Sequence, residues 1–543
     1  MGGEKSADLI LHSGKIITVN DRDEIAEAVA ISDGRLLFVG DNKSTLSYAG
    51  PETHTIDLMG KTLMPGIIDS HVHMQWVGKS LQQINCRNPP LKSINEISEA
   101  VKQRVRESEP GEWIIGRGWD QVKLVEQRYP TRWDLDAVSP ENPVFLFRTC
   151  EHLGVANTKA LEAAGITRDS QNPQGGKINK DAHGEPTGLL EELPALSIIT
   201  SILPVEAEEK LAEAVETACK EFNKVGITSV LEPGLTPLEM RAYQHAHQNN
   251  RLTIRVNMMF MGNYQQITAD ALVKKLDSIQ WITGYGDDFF RYYGLKLLID
   301  GGFGGKTAYV REPYENDPNN YGLLIVQPDD LQKIVDAVNG LGMGVSIHCC
   351  GGAAMDVVLE AYSRTDKIGS ITGRRFQIVH AYLPSKENIE VIKRLGVTVV
   401  SQPGFIYYLG DSYLKNVGLE RISKTKPHRT WFDEGITAAG SSDGPVTPFN
   451  PWVGIWAAVA RRTELGDKVV GPYQRITREE ALRMYTINGA YMTLEEDRKG
   501  SIEPGKLADV IILDRDILTC PEDEIKDTKV LTTYLDGRVV YHA

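Results

Sequence analysis

The chain has 543 residues, 41% hydrophobic and 24% charged, ordinary proportions for a globular protein large enough for more than one core. A formal net charge of −14 argues against a nucleic-acid partner. Nothing approaches the ~18 apolar residues of a membrane span, the first residues lack a signal peptide's apolar stretch, and the six cysteines are scattered, which points to the reduced cytoplasm.

Residues 1–62 are short alternating runs with turns between them. ADLILHSGKIITV, EIAEAVAISDGRLLFVG and THTIDLMGKTLM read as strands divided by Ser-Gly, Asp-Gly and Met-Gly turns. Residues 498–543 repeat that texture in ADVIILDRD and VLTTYLDGRVVYHA, so the two chain ends together predict one small β-sandwich. Between them, strand candidates at 64–73, 227–232, 253–260, 293–299, 344–348, 376–380, 397–401 and 436–442 alternate with amphipathic stretches such as 205–225, 328–341 and 385–396. Eight strands with helices between them predict an α/β protein built on a (β/α)8 TIM-type barrel. Its first strand lies in 63–79 and the remainder in 205–497. Residues 80–204 are too long for a barrel loop and carry their own strands in EWIIGRGWD and NPVFLFRT, which predicts an insertion subdomain over the barrel mouth.

Several of these strands end in a metal-binding residue type. Asp69-Ser70-His71-Val72-His73 follows the apolar run Leu63–Ile68, and alternate residues on a strand face one way, so His71 and His73 form a half-site for zinc or a similar metal. Downstream, LGMGVSIH ends in His348, RRFQIVH in His380 and ITAAGSSD in Asp443, while YYGLKLLID carries Lys296 within an apolar strand. At the C-terminal ends of parallel strands these residues read as one assembled metal site. Blander readings stand beside each: Asp443 as a helix N-cap, Lys296 as a snorkelling or salt-bridged lysine, and Cys349-Cys350 as small wall residues.

These motifs resemble the metal-dependent amidohydrolase superfamily, in the branch that includes N-substituted formamide deformylase. The resemblance rests on GKTLMPGIIDSHVH, PVFLFRTCEHLGVANTKAL, DGGFGGKTAYVREPYENDPNNYG, SSDGPVTPFNPWVGIWAAVARR and the long C-terminal block from ITREEALRMYTINGAYM to GKLADVIILD. It implies one or two divalent ions, zinc foremost. His71, His73 and Asp443 would hold the more buried ion, His348 and His380 the other, and a carboxylated Lys296 would bridge. It implies hydrolysis of a C–N bond in a small non-peptide amide such as an N-substituted formamide or N-acyl amine. Metal-activated water would attack, Asp443 would shuttle its proton, and His152 of EHLGVANTKAL would hold the oxyanion or another polar group of the substrate. Trp119 and Asp120 of GRGWDQ, with Phe405, Tyr407 and Tyr408 of QPGFIYYLG, are candidates to line the substrate pocket, although aromatic residues serve equally as core. The chain departs from the branch at Gly352, where an acid is frequent, and at Val379, where Glu is common. A deaminase or cyclic-amide hydrolase on the same scaffold is the nearest rival. A non-catalytic scaffold predicts lost ligands, and all six positions are filled. The partner expected is a small-molecule substrate, with a homodimer as the base-rate assembly.

Overall fold

The computed structural model describes residues 6–204, 206–262 and 267–543. Eight parallel strands form one sheet in chain order: β1 (Ile67–Asp69), β2 (Ile227–Leu235), β3 (Arg255–Met261), β4 (Phe290–Leu298), β5 (Gly344–Cys349), β6 (Gln377–His380), β7 (Thr398–Ser401) and β8 (Ala438–Gly440). Its two edges meet beyond the strand ends. Ser70 N–H donates to Gly440 O at 3.1 Å, Asp443 N–H to His71 O at 2.8 Å and His73 N–H to Gly444 O at 2.8 Å. The result is a (β/α)8 barrel whose closing bonds lie at the C-terminal mouth. Helices cover the outside and side chains fill the inside, so strands such as β2 are buried at all nine residues.

The stretch 64–73 is not one strand. Thr62–Pro65 pairs with Lys15–Ile17 and Val510–Leu513 in a different sheet, and only Ile67–Asp69 enters the barrel. Gly66 is the joint, packed so closely on Thr228 that a Cβ would collide with it. The helix in 205–225 spans Glu208–Lys224, and Val205 lies outside the described residues. Glu208 and Glu209 occupy its first turn, where the helix dipole favours an acid, and Leu211, Val215, Ala218 and Phe222 form its buried stripe.

Strands from both chain ends share one six-stranded sheet, in which Val510–Leu513 lies between Thr62–Pro65 and Val530–Leu535. A four-stranded sheet built around Ala7–His12 and Ala28–Ser32 contributes Leu9, Leu11 and Val29 to the core that Leu63, Val510 and Tyr534 of the larger sheet also form. Between β1 and β2 a further six-stranded sheet runs from Ile84–Asn85 to Pro186–Glu191. Trp119, Leu146 and Ile97 belong to its own apolar core. Among the described residues no helix is long and apolar enough to cross a membrane.

Candidate metal centre and substrate cavity

His71 and His73 reach the mouth from the turn between β1 and the helix Met74–Ser80, rather than from the strand itself. They still converge, with ring centroids 5.6 Å apart. Buried Glu232 of β2 fixes this turn, accepting the Met74 N–H at 2.5 Å and the Tyr243 hydroxyl at 2.9 Å. Asp69 accepts both the N–H and the hydroxyl of Ser442, tying β1 to the loop that carries Asp443; burial pushes its carboxyl up to about 7. Asp443 Oδ1 lies 3.6 Å from His71 Nε2 and 3.5 Å from His73 Nε2. Lys296 on β4 brings Nζ to 2.9 Å from His71 Nε2. His348 on β5 and His380 on β6 face each other, Nδ1 to Nε2, at 3.0 Å, and His380 Nε2 is 4.0 Å from Asp443 Oδ2. All six candidates for the metal set thus stand in one continuous cluster. Two of them, His380 (φ 77) and Asp443 (φ 55), hold left-handed backbone conformations of the kind that collect at functional sites.

Burial dominates the electrostatics of the cluster. It pushes His71, His348 and His380 well below the ordinary histidine value, with cationic neighbours adding to it, so these rings are neutral and offer lone pairs. It also lowers Lys296 to about 8, against a weaker upward pull from Asp443. Partners behind the rings select the nitrogen that faces inward. His380 Nδ1 donates to Gln402 Oε1 at 2.6 Å, and Gln402 is itself oriented by Ser441 at 2.9 Å. His348 Nε2 lies 3.1 Å from Gly301 O, leaving Nδ1 to the cluster.

Donor atoms of His71, His73 and Asp443 lie within 4.8 Å of one another, as do those of His348, Cys350 and His380. Cys350 Sγ meets His348 at Nε2, the ring nitrogen that His380 does not. His71 Nδ1 has no hydrogen-bond partner among the described residues. Neutral imidazoles, a carboxylate and a lysine with a lowered pKa are the nitrogen and oxygen donors that suit zinc or a similar divalent ion, so the residues present fit a metal.

The cluster borders a cavity of about 780 Å³. The insertion contributes Phe147, His152, Leu193 and Leu196 to its wall. The His152 ring lies 5.2 Å from that of His348, and its Nδ1 is 2.8 Å from Glu192 Oε2. Burial opposes a charge on His152, but the Glu192 carboxylate outweighs it and lifts the ring to about 9.

The five candidate pocket residues lie elsewhere. Trp119 is fully buried in the insertion's core, donating to Leu146 O at 2.8 Å, and Asp120 pairs with buried Arg148 at 2.8 Å. Phe405 backs the metal cluster, stacked 6.0 Å from the His380 ring, without lining the cavity. Tyr407 packs on Trp456, and Tyr408 borders a separate 110 Å³ pocket beside Arg87. Aromatics that pack between elements and aromatics that line a cavity have the same sequence signature, and none of these four lines the cavity beside the metal cluster.

The two departures from the branch also have a local account. A Cβ at Gly352 would lie 2.5 Å from Arg311 Nη1, and Asp356, one helical turn later, is the carboxylate that Arg311 pairs with at 2.6 Å. Val379 packs with Val400, Ala439 and Met492 in a layer that a Glu would disrupt. Glu192, Gln402 and Glu232 escaped the sequence reading. Gln402 sits in the SQPGF stretch whose aromatics drew attention instead, and the other two carry no spacing signal.

Comparison with known proteins defines the class. Residues 54–541 match the amidohydrolase family, and the chain belongs to it. It is 30% identical over 539 residues to the N-substituted formamide deformylase of Arthrobacter pascens, covering 98% of each chain. Among solved structures, it resembles a metal-dependent hydrolase of Pyrococcus furiosus with a TM-score of 0.73 and 31% identity, covering 94% of this chain and 99% of that one. A metal-dependent hydrolase of Pyrococcus horikoshii OT3 gives 0.76 and 29%, covering 95% and 99%. The protein is an enzyme, a metal-dependent hydrolase of the amidohydrolase family.

Proposed function

We propose that the protein hydrolyses the C–N bond of small non-peptide amides, N-substituted formamides and N-acyl amines first among them, with zinc as its metal. The observation that carries this reading is the six-residue donor cluster beside a cavity whose lining includes the apolar side chains of Trp76, Phe147, Leu193 and Leu196. Similarity to a formamide deformylase along 98% of both chains supports the substrate class. Work in the reducing cytoplasm is in keeping with six free cysteines.

His71, His73 and Asp443 would hold one ion and His348 with His380 a second, with Lys296 in its carboxylated form between them. A bound divalent ion supplies Lewis-acid polarisation of the amide carbonyl and acidifies water. Asp443 accepts the proton that the attacking water gives up and passes it to the leaving nitrogen, so that amide and water become carboxylic acid and amine. His152, protonated beside Glu192, donates from Nε2 to the carbonyl oxygen as negative charge grows there. Trp76, Phe147, Leu193 and Leu196 take the N-substituent and exclude water from the reacting carbon.

The test is a panel of N-substituted formamides, N-acyl amines, cyclic amides and aminopurines, with carboxylic acid, amine and ammonia measured together. Equal release of formate and amine from the formamides is the expected result. Ammonia from the aminopurines, with the formamides untouched, would replace this reading with the deaminase.

A further inference from the structure

The insertion strand Pro186–Glu191 ends on one glutamate and is followed at once by another, and the two meet opposite fates. Glu191 is partly exposed and pairs with Lys177 at 3.3 Å. Glu192 takes φ 66, a left-handed conformation that breaks the strand's alternation, and its side chain is fully buried. A residue with a Cβ stays there only where surrounding contacts hold it. The strongest of these go to His152. Glu192 N–H donates to His152 O at 2.7 Å, and Glu192 Oε2 stands 2.8 Å from His152 Nδ1. One residue thus grips the histidine through both backbone and side chain.

The second carboxylate oxygen, Oε1, is buried with no hydrogen-bond partner among the described residues. Gly301 borders it so closely that a Cβ there would lie 2.5 Å away. A buried carboxylate with an idle oxygen is costly as pure scaffolding. The arrangement is suited to one task, fixing the imidazole that lines the substrate cavity.

Building on the amide-hydrolase reading, in which His152 meets the carbonyl oxygen, we infer that Glu192 is a positioning residue. It binds Nδ1 and so turns the Nε2 edge of His152 toward the substrate. No proton moves through Glu192, and it touches neither the metal ligands nor the reacting atoms.

The test pairs Glu192→Gln, which keeps an acceptor oxygen for Nδ1, with Glu192→Leu, which removes it. With metal content matched and an N-substituted formamide as probe, Glu192→Leu should lower kcat about 10²-fold, the loss typical of one misplaced oxyanion donor, and leave KM within about threefold. Glu192→Gln should lose only on the order of tenfold. In a His152→Ala background Glu192→Leu should cost nothing further, because its effect passes through that ring. An equal loss in that background would overturn the inference. Crystal structures of both variants separate this inference from the substrate reading, since they need no turnover. The His152 ring should keep its place 5.2 Å from His348 with Gln and leave it with Leu. A ring unmoved in Glu192→Leu would overturn the inference even if no formamide is hydrolysed.

Discussion

Lys296 is the member of the metal cluster whose reactivity toward CO2 depends on its burial. It is 3% exposed on β4 with Leu295 and Leu297 as neighbours, and desolvation brings it from 10.5 to about 8. At pH 8 roughly half of such a lysine is neutral, against roughly 0.3% of an ordinary one, a gain on the order of 10² in the form that attacks CO2. Carboxylation should therefore be extensive at pH 8 in bicarbonate and fall as pH drops toward 6. Growth in 13C-bicarbonate followed by 13C NMR reads the modification, and elemental analysis reads metal per chain. Lys296→Ala should lose the signal, one metal and most activity. Lys296→Glu, which keeps a carboxylate on a shorter arm, should recover part of the metal. A Lys296→Ala enzyme with unchanged metal content and full turnover would refute the bridging role and the desolvation argument behind it.

Asp443→Asn at matched metal content should lower kcat by ~10²–10⁴ with little change in substrate binding, because the amide cannot accept a proton at neutral pH; turnover near wild type would move the shuttle elsewhere. Trp119→Ala should cost about 3–5 kcal/mol of stability in urea unfolding and leave KM of the folded enzyme unchanged, as expected of a core residue; raised KM at unchanged stability would return Trp119 to the pocket. Buried His428, beside Arg461 and Lys426, is held well below 6.5, chiefly by burial. The unfolded chain therefore binds a proton that the native state refuses, so stability is fully present above about 6.5 and is lost as pH falls below it. His428→Gln should flatten that acid slope by up to ~1.4 kcal/mol per pH unit, measured by denaturant unfolding across pH 5–7; an unchanged slope would contradict the assignment.

The barrel was legible because its strands are buried on both faces and so read as apolar runs that break at turns. All eight strand candidates overlap an observed barrel strand. The 64–73 stretch misled because Leu63 and Met64 are as apolar as Ile67 and Ile68, and only close packing at Gly66 reveals that the chain changes sheets there. The metal cluster was legible because five of its six members end or closely follow an apolar strand, and the sixth, Lys296, is a lysine inside one. The cavity wall was not. Phe405 and Phe147 differ in what stands opposite them, a relation between distant elements that neither local pattern encodes. Glu192 was hidden for a sharper reason: it follows an identical residue, Glu191, and is set apart from it by a positive φ and by burial, which the sequence does not carry.

The most direct test of the central claim is a zinc titration of chelator-stripped protein, followed by formate release from an N-substituted formamide. The stripped enzyme should be inactive, and activity should rise with added zinc to an end point at one or two ions per chain. Full turnover by protein holding less than about a tenth of a metal ion per chain would contradict the metal-centred account.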